Sequence, residues 1–564
     1  MTDTHNPNES IKRNSDYLRG TLKNSIADTM SGALAPDDAQ LCKFHGFYEQ
    51  DDRDVRAQRQ QHMLEPYYSF MLRARLPGGV CTTQQWLAID ATTRELGNGS
   101  IRLTTRQTFQ YHGILKHKLK PLIQKINQAM IDSIGGCGDV NRNVLCTPNP
   151  EASVLHSEAS AWARRLSEHM LPKTRAYHEI WLDGKTVAGG ESEPLYGDTY
   201  LPRKFKTAVA IPPCNDVDVY TNDLGFIAIA SNNRLTGFNV VAGGGMGTTH
   251  DDPTTFPRLA DTLGFILPEQ VLAVAEAVLT TQRDFGDRVS RRHARLKYTI
   301  ERMGLAAFTE QIVQRSGVSF QPAKPVTFTD HGDRYGWASA GDDRWNLTLY
   351  IENGRVNDKP GAQLMTGLRE LAQLDAGEFR ITPNQNLVVA GVAGARKQEI
   401  ETIARRYGLL KDQRTPTRLA SLACVALPTC PQAMAEAERY FPDLLVRVER
   451  LADAHGISEQ AIVIRITGCP NGCARPFVAE IALVGKGPGS YNLLLGGDGS
   501  GQRLARLYRK NIKEKALIDL LDGLFARYAA ERKHNEGFGD FVTRSGIVQP
   551  VTTATATENY HECA

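Results

Sequence analysis

Two stretches of this chain resemble each other: Gly99-Ser-Ile-Arg-Leu-Thr-Thr-Arg-Gln-Thr-Phe-Gln-Tyr-His-Gly-Ile114 and Gly377-Glu-Phe-Arg-Ile-Thr-Pro-Asn-Gln-Asn-Leu-Val-Val-Ala-Gly-Val392. Five of the sixteen aligned positions are identical. A second pair follows in the same order, Phe238-Asn-Val-Val-Ala-Gly-Gly244 and Tyr491-Asn-Leu-Leu-Leu-Gly-Gly497. Because both pairs keep one order along the chain, they predict an internal duplication, with a period too long for a solenoid. We therefore expect two copies of a two-part module, with a ligand in the crevice between them.

The composition excludes several classes of protein. The 564 residues are more than one hydrophobic core serves, which predicts two to four domains. Hydrophobic residues make up 41% and charged residues 23%, as is typical of a globular protein. The 66 Lys and Arg against 63 Asp and Glu leave a net charge of +3, so no overall field favours nucleic acid. Any anion site must be built from particular Arg and Lys residues.

The apolar segments are too short for membrane insertion. Met1–Ser15 is polar and has no apolar run, so we do not expect a signal peptide. No stretch has the length of apolar sequence that crosses a bilayer. We therefore predict a cytoplasmic protein without membrane contact. In that reducing compartment its cysteines are thiols or metal ligands rather than disulfides.

Local patterns predict several elements. Residues 1–60 are polar, which indicates an extension that is mobile or wraps over the body. Phe70–Leu76 has the pattern of a strand that ends in a turn at Pro77-Gly78-Gly79. Leu119–Ile134 has the pattern of an amphipathic helix closed by Gly135-Gly136. Ala208–Ile211 is an apolar strand.

Four of the ten cysteines are grouped, as C-x5-C in Cys424-Val-Ala-Leu-Pro-Thr-Cys430 and as C-x3-C in Cys469-Pro-Asn-Gly-Cys473. An iron–sulfur cluster needs four soft donors that converge on one point. Pro431 is placed to begin a helix, expected over Ala433–Tyr440, whose dipole would favour the negative charge of the cluster. The other six are scattered and are expected to be small buried side chains or idle thiols: Cys42, Cys81, Cys137, Cys146, Cys214 and Cys563.

Other metal and redox sites are less consistent with these spacings. Structural zinc sites usually use C-x2-C knuckles, which neither pair has. A c-type haem needs C-x-x-C-H and a redox dithiol needs C-x-x-C, and both patterns are absent. Spacing alone favours an iron–sulfur cluster only modestly over zinc.

The residues around the cysteines carry a resemblance. Cys424-x5-Cys430-Pro431, with Thr467-Gly-Cys-Pro-Asn-Gly-Cys-Ala-Arg-Pro476, resembles the siroheme/[4Fe–4S] motif of the sulfite and nitrite reductase family. The resemblance covers essentially the whole chain. It implies that Cys424, Cys430, Cys469 and Cys473 bind one [4Fe–4S] cluster. It also implies that Cys473 bridges the cluster to the siroheme iron as its axial ligand.

The same resemblance implies an α+β fold, with two ferredoxin-like halves, two siroheme/cluster-binding α/β domains and a polar N-terminal extension. The expected domains are an extension (1–65), a first ferredoxin-like half (66–135), a first siroheme and substrate domain (136–334), a second ferredoxin-like half (335–410) and a [4Fe–4S]/siroheme domain (411–564).

Sulfite is an oxyanion and siroheme carries many carboxylates, so the site needs fixed cations. By resemblance, four residues hold the substrate over siroheme: Arg73, Arg142, Lys204 and Lys206. Three more are expected to contact siroheme carboxylates: Arg102, Arg106 and Arg203. We leave His112 out, because a hydrogen-bonded core histidine explains it equally well.

Lys204 and Lys206 are also informative from the residues alone. Strand alternation places them on one face and turns Phe205 to the other. Two ammonium groups on one face repel each other unless an anion lies between them. Without an anion they would form a solvated edge, as most lysines do.

The resemblance implies the catalytic subunit of an assimilatory reductase, which takes sulfite to sulfide in sulfate assimilation and cysteine biosynthesis. The alternatives are a siroheme nitrite reductase, whose relatives generally carry an uncharged amide where this chain has Lys206, and a non-catalytic iron–sulfur or zinc protein. Gly243-Gly-Gly-Met-Gly247 lacks the G-x-G-x-x-G spacing of a dinucleotide site, and no P-loop occurs. Electrons should therefore come from another polypeptide, an NADPH-oxidising flavoprotein subunit or, alternatively, a ferredoxin. A hetero-oligomer is expected.

Overall fold

A computed structural model of the chain describes residues 6–148, 153–185 and 191–551. Cys563 lies outside these residues. Within them, the strands form four five-stranded sheets and one two-stranded sheet, and helices pack against the sheets. This is the α+β class that the sequence predicts. No helix in the described ranges is long and apolar enough to cross a membrane.

The N-terminal extension wraps over the body, which was one of the two predicted alternatives. Its strand pairs antiparallel with the first strand of the body, Phe47 opposite Leu72. The buried ammonium group of Lys12 donates to Leu201 O at 2.8 Å and pairs with Glu9 at 2.5 Å. The elements are α1 (Pro7–Arg13), α2 (Leu22–Ala27), α3 (Pro36–Leu41), β1 (Phe47–Asp51) and α4 (Arg53–Gln61).

The next segment builds the first half-domain sheet. Its elements are β2 (Tyr68–Arg73), β3 (Val80–Cys81), α5 (Thr83–Leu96), β4 (Ile101–Leu103), β5 (Phe109–Ile114) and α6 (Leu119–Gln128). The predicted helix over Leu119–Ile134 is too long. The chain leaves the helix at Met130, which has a φ of 56°, and Arg75 then pairs with Asp132 through both backbone and side chain.

The first α/β segment follows. Its elements are β6 (Leu145–Cys146), α7 (Val154–His169), α8 (Ala176–Trp181), β7 (Thr207–Ala210), β8 (Leu224–Ser231), β9 (Arg234–Ala242), β10 (Asp261–Ile266), α9 (Val271–Phe285), α10 (Leu296–Met303) and α11 (Leu305–Ser316). Strand β7 matches the predicted apolar strand to within one residue at each end.

The second half of the chain repeats this order. Its half-domain contains β11 (Gly336–Gly341), β12 (Arg344–Leu349), β13 (Arg355–Val356), β14 (Asp358–Lys359), β15 (Ala362–Gln363), α12 (Leu364–Gln373), β16 (Glu378–Ile381), β17 (Leu387–Ala393) and α13 (Lys397–Arg406). Its α/β segment contains α14 (Pro416–Leu419), β18 (Leu422–Ala423), α15 (Phe441–Ala454), β19 (Ile464–Thr467), β20 (Ile481–Gly487), β21 (Ser490–Leu495), β22 (Arg506–Ile512), α16 (Glu514–Glu531) and α17 (Phe538–Arg544).

Sheet topology supports the predicted duplication. The two α/β sheets have the orders β6-β7-β8-β9-β10 and β18-β19-β20-β21-β22. In each sheet the first three strands are parallel and the last two pairings are antiparallel. Equal order and equal strand direction in both halves are the structural signature of one repeated module.

The two half-domain sheets exchange an edge strand. Strand β3 leaves the first half-domain and pairs with β16 of the second, while β13 leaves the second and pairs with β4 of the first. Sheet closure in each half-domain therefore depends on the other, and the two copies are held in one fixed arrangement.

A glycine precedes each exchanged strand and touches the partner half-domain. Gly79, with a φ of 74°, lies so close to Ile381 O that an added Cβ would be 2.5 Å from that oxygen. Gly354, with a φ of 72°, stands in the same relation to Leu103 O, at 2.3 Å. Neither position has room for a side chain, because the obstacle in each case is backbone.

We expect Gly79→Ala to destabilise the protein strongly. Alanine is strained at positive φ, and its Cβ also collides with the Ile381 carbonyl. The exchanged strand could relieve this collision only by separating from β16. Gly99→Ala is the matched control, because Gly99 has a φ of 75° and open space around it. The Gly79 variant should lose about 1–3 kcal/mol more than the control in denaturant unfolding. Equal losses in the two variants would contradict the close approach.

Candidate active site

Cys424 and Cys469 meet because two parallel strands end side by side. Strand β18 pairs in parallel with β19, so Cys424, just after β18, lies beside the loop that follows β19. The Cys424 Sγ accepts hydrogen bonds from Gly468 N at 3.2 Å and Thr467 Oγ1 at 3.4 Å. The carboxyl ends of parallel strands are the usual location of ligand sites in open α/β sheets.

The segment after Cys430 binds the other cysteine loop. Met434 N and Ala435 N both donate to Gly468 O, at 2.8 and 3.0 Å, and Glu438 N donates to Cys424 O at 3.1 Å. The predicted helix over Ala433–Tyr440 is therefore wrong, and α15 begins only at Phe441. These N–H groups join the two cysteine loops instead of pairing within a helix.

All four thiols act on one another electrostatically. Burial raises the pKa of Cys424 to about 12, with a neighbouring Cys473 thiolate as the next cause. Burial and the Cys473 thiolate also raise the pKa of Cys430 and Cys469. Cys473 is exposed, Cys469 is buried, and the other two are half-buried. The sequence-predicted set is thus brought together around Cys473.

The four thiols are the donor type that a [4Fe–4S] cluster uses, since each thiolate binds one of its irons. Within the described residues, no three His, Cys, Asp or Glu side chains lie close enough together to hold one metal ion.

Lys204 and Lys206 face the cysteine side of the crevice. Burial lowers the pKa of Lys204 to about 7, with Arg203 as the next cause, and a Cys473 thiolate acts in the opposite direction. The pKa of Lys206 falls well below its usual value through burial and then through Lys204. In the part of the chain that the structure describes, neither Nζ has a hydrogen-bond acceptor or an ion-pair partner.

The two lysines precede strand β7 rather than lying within it. Phe205 between them is fully buried and forms a bridge with Asn141, while both lysines are half-buried. The alternation that the sequence predicts is therefore present. Two neighbouring amino groups whose pKa values are lowered favour an anion, because an anion stabilises their ammonium forms.

Arg73 and Arg142 converge on one carbonyl. Arg73 Nη1 and Arg142 Nη1 both lie 3.3 Å from Gly136 O, and Arg142 Nε donates to Gly138 O at 2.7 Å. Burial opposes a rise in the pKa of Arg73, but Cys137, then Tyr48 and Cys473, raise it above its usual value. Both guanidinium groups are thus fixed by backbone oxygens beside the lysine pair.

The three arginines expected to contact siroheme differ in their surroundings. Arg102 Nε pairs with Glu438 at 2.9 Å and Arg102 Nη2 donates to Ala423 O at 2.7 Å. Arg106 donates to Asn222 Oδ1 at 2.6 Å and to Thr207 O at 3.0 Å. In this structure both hold protein groups around the crevice. Burial, and then Arg291, lowers the pKa of Arg203 to about 10.

Sequence reasoning missed Arg295 and Lys297. Arg295 forms a buried pair with Asp223, Nε to Oδ1 at 3.0 Å and Nη2 to Oδ2 at 2.8 Å. Asp223 also accepts from Lys206 N at 2.8 Å, which ties Arg295 to the lysine pair. Lys297 Nζ donates to Gly247 O at 2.8 Å. No local motif marks these residues, because they reach the site from α10 and the turn before it.

The glycine-rich segment Gly243–Gly247 packs against the cysteine loop. Thr248 N donates to Pro470 O at 2.9 Å, and an added Cβ on Gly472 would lie 3.2 Å from Met246 O. On the other side, Thr105 Oγ1 donates to Cys473 O at 3.0 Å. The loop that carries Cys469 and Cys473 is therefore enclosed by the first copy of the module. Close packing against the cysteine loop therefore accounts for the glycines of this segment, and no nucleotide site is needed to explain them.

Comparison with known families agrees with this architecture. The model for the "Nitrite/Sulfite reductase ferredoxin-like half domain" matches twice, at residues 62–129 and 339–407. The model for the "Nitrite and sulphite reductase 4Fe-4S domain" matches residues 161–320. That match covers the first α/β copy and does not include the four grouped cysteines, which lie in the second copy.

Similar proteins match over nearly the full length. The sulfite reductase [NADPH] hemoprotein beta-component of Thiocapsa roseopersicina is 63% identical, over 98% of this chain and 99% of that protein. The protein of the same name from Shewanella halifaxensis is 58% identical, over 97% and 98%. The solved structure of the Mycobacterium tuberculosis NirA protein aligns with a TM-score of 0.78 over 96% of each chain at 24% identity, a similarity of fold.

We expect Cys424→Ser to lose cluster iron, and siroheme with it. A serine oxygen is a poor donor for iron in a thiolate site, and the two cysteine loops together would present three sulfurs instead of four. Iron analysis and the visible spectrum measure the loss. Cys81→Ser is the control, since Cys81 is a buried thiol on β3 that lies outside the grouped set. Full cluster content in the Cys424 variant would contradict the ligand assignment.

Proposed function

We propose that this chain, which belongs to the nitrite and sulphite reductase family, is the catalytic hemoprotein subunit of an assimilatory sulfite reductase. It carries siroheme and a [4Fe–4S] cluster and reduces sulfite to sulfide by six electrons, in sulfate assimilation and cysteine biosynthesis. The relatives at 58–63% identity carry the name of that subunit over almost their whole length. The cytoplasm is our prediction for its location.

One observation supports the assignment of the site most directly. Cys473 is the exposed member of the four thiols, and its charge acts on Arg73, Lys204 and Lys206 as well as on the other cysteines. An exposed thiol beside buried thiols and near the Arg and Lys side chains suits a residue that would hold both the cluster and siroheme. We therefore assign Cys424, Cys430 and Cys469 to the cluster and Cys473 to both groups.

When bound, siroheme and the cluster would pass electrons from the donor to the substrate and supply the redox chemistry. The protein's own contribution is charge and position. Arg73, Arg142, Lys204 and Lys206 would hold the sulfite oxygens by charge-assisted hydrogen bonds and stabilise the charge that develops as oxide leaves.

Lys204 is suited to proton transfer. Its pKa of about 7 in the anion-free pocket lies near the working pH, where a general acid is most effective. An approaching anion favours the ammonium form, so substrate would bind with proton uptake and deliver its oxygens to a charged donor.

Sulfite is favoured over nitrite by the fourth cation. Lys206 has no protein partner within the described residues and stands beside Lys204. A site for a smaller, singly charged anion has less need of that charge. A non-catalytic iron–sulfur or zinc protein would have no reason to place two half-buried lysines without protein partners in the described residues beside the thiols.

A partner subunit must supply the electrons, and we infer an NADPH-oxidising flavoprotein, with ferredoxin as the alternative. The relatives are named as beta-components of an NADPH-dependent enzyme. The chain itself carries no dinucleotide or flavin motif. We expect the donor to dock transiently near the cluster-binding half, with the N-terminal extension as another candidate contact, in a hetero-oligomer.

The purified chain should reduce sulfite with a chemical donor but not with NADPH. Reduced methyl viologen can deliver electrons without a protein interface, whereas NADPH needs a flavoprotein to bind it and to split its electron pair. Sulfide formation is measured with each donor, and then with NADPH after a flavoprotein subunit is added. Turnover with NADPH and this chain alone would refute the proposal. The spectrum of the purified protein shows whether both cofactors are present.

Lys206→Asn should weaken sulfite reduction more than nitrite reduction. The change removes one charge-assisted contact of about 1.5–3 kcal/mol, which corresponds to about tenfold or more in affinity or rate. The siroheme spectrum should not change, because the Lys206 side chain contacts no protein group that positions the cofactor. The measurement is the ratio of sulfite to nitrite activity with methyl viologen.

The control is Arg203→Ala, which removes a neighbouring cation that we assign to siroheme. It should lower siroheme content and leave the sulfite-to-nitrite ratio of the loaded fraction unchanged. If Lys206→Asn leaves that ratio where it was, the pocket assignment is wrong and the lysines form a solvated edge.

A further inference from the structure

The cysteine loop has a counterpart in the first copy of the module. The β19–β20 loop spans residues 468–480 and the β7–β8 loop spans residues 211–223, so the two have equal length. Each contains one short turn of 3-10 helix, Pro476–Val478 in the first case and Val219–Thr221 in the second. The residue before each turn is left-handed, Arg475 with a φ of 54° and Asp218 with a φ of 44°.

These two equivalent residues pair with each other across the duplication. Arg475 Nε lies 2.9 Å from Asp218 Oδ2, and Arg465 Nη1 lies 2.6 Å from the same oxygen. His331 Nδ1 lies 2.8 Å from Asp218 Oδ1. All four side chains are buried, with Asp218 fully enclosed. One carboxylate of the first copy thus pairs with two arginines of the second.

The pairing fixes the loop that carries the proposed bridging thiolate. Arg475 follows Cys473 by two residues, and its Nη2 donates to Pro383 O at 3.0 Å and to Asn384 Oδ1 at 2.8 Å. Arg465 Nη1 also donates to Arg475 O at 3.2 Å. Asp218 therefore holds the side chain of Arg475 directly and holds the Arg475 backbone through Arg465.

The charge of Asp218 is maintained in the folded protein. Burial alone would raise the pKa of Asp218, but Arg465, Arg475 and His331 outweigh burial and hold the pKa below its usual range. A permanent negative charge therefore lies beside two cations, close to the cysteine loop. Without it, two buried positive charges would stand near the cluster uncompensated.

We propose that Asp218 is a positioning residue of the first module copy that locks the Cys469–Cys473 loop through Arg475 and Arg465 and sets the charge felt by the cluster. This inference rests on the proposed function. Nothing in the cysteine motif itself marks Asp218, because it lies in the other copy of the module, 255 positions before Cys473.

The test is the reduction potential of the cluster in Asp218→Asn, measured in the cofactor-loaded protein by titration followed by EPR. Asparagine tolerates left-handed backbone and keeps two hydrogen-bonding atoms, so the change is mainly one of charge. Because an added net positive charge favours the reduced cluster, the potential should shift upward. Chelator-induced loss of cluster iron should also become faster.

Two further variants separate charge from general destabilisation. Glu449→Gln is the control, since Glu449 pairs with Arg418 on α14 at 2.6 Å in the same α/β segment. It should lower stability without moving the potential. Asp218→Asn combined with Arg465→Gln restores the local charge balance and should return the potential toward that of the unmodified protein.

An unchanged potential in Asp218→Asn, or a shift no larger than in Glu449→Gln, overturns the assignment. If the Asp218→Asn protein is produced without its cofactors, the Arg475→Lys variant is tested in its place. Lysine keeps the charge but cannot join Asp218 to Pro383 O and Asn384 at once. Faster loss of cluster iron than in Glu449→Gln then supports the lock, and an equal rate overturns it. Failure of the proposed function is distinct, because the unmodified protein would then contain neither siroheme nor cluster.

Discussion

The structure depends on one electrostatic constraint: four thiols and a set of Arg and Lys side chains are held close to one another. Thiolates and buried cations attract, but each set repels itself, so neither assembles without a rigid frame. Strand pairing provides the frame for Cys424 and Cys469, because β18 and β19 are parallel and end together. The exchange of β3 and β13 then fixes the first copy, which carries the cations, against the second.

Duplication built this frame, and divergence between the copies made it asymmetric. Lys206 and Val463 both precede the second strand of their sheets, and each backbone N–H donates to a buried carboxylate, Asp223 or Glu480, at 2.8 Å. The same backbone hydrogen bond is therefore present in both copies. Only the first copy has a basic residue at this position, Lys206, so the proposed anion pocket lies on one side of the crevice.

Sequence predicted the parts of this site whose chemistry is local. The cysteine spacing, the repeated segments and the alternation of Lys204, Phe205 and Lys206 are all visible without coordinates. The prediction of a helix over Ala433–Tyr440 is wrong because backbone N–H groups of this segment pair with Gly468 O, a contact between loops that are distant in the sequence. Arg295 and Lys297 were missed for the same reason. The roles of the arginines and the domain boundaries remain predictions.

Two of the four proposed cluster ligands in the second copy, Cys424 and Cys473, have counterparts with side-chain oxygen in the first copy. Thr147 follows β6 as Cys424 follows β18, and Asp216 occupies the position in its loop that Cys473 occupies in the other. Thr147 Oγ1 donates to Asp216 Oδ1 at 2.9 Å, and burial raises the pKa of Asp216 well above its usual value. The Thr147 hydroxyl and the Asp216 carboxyl bond to each other, whereas thiolates need iron to offset their repulsion. The first copy thus satisfies these two positions within the protein, and the second copy would need the proposed cluster to do so.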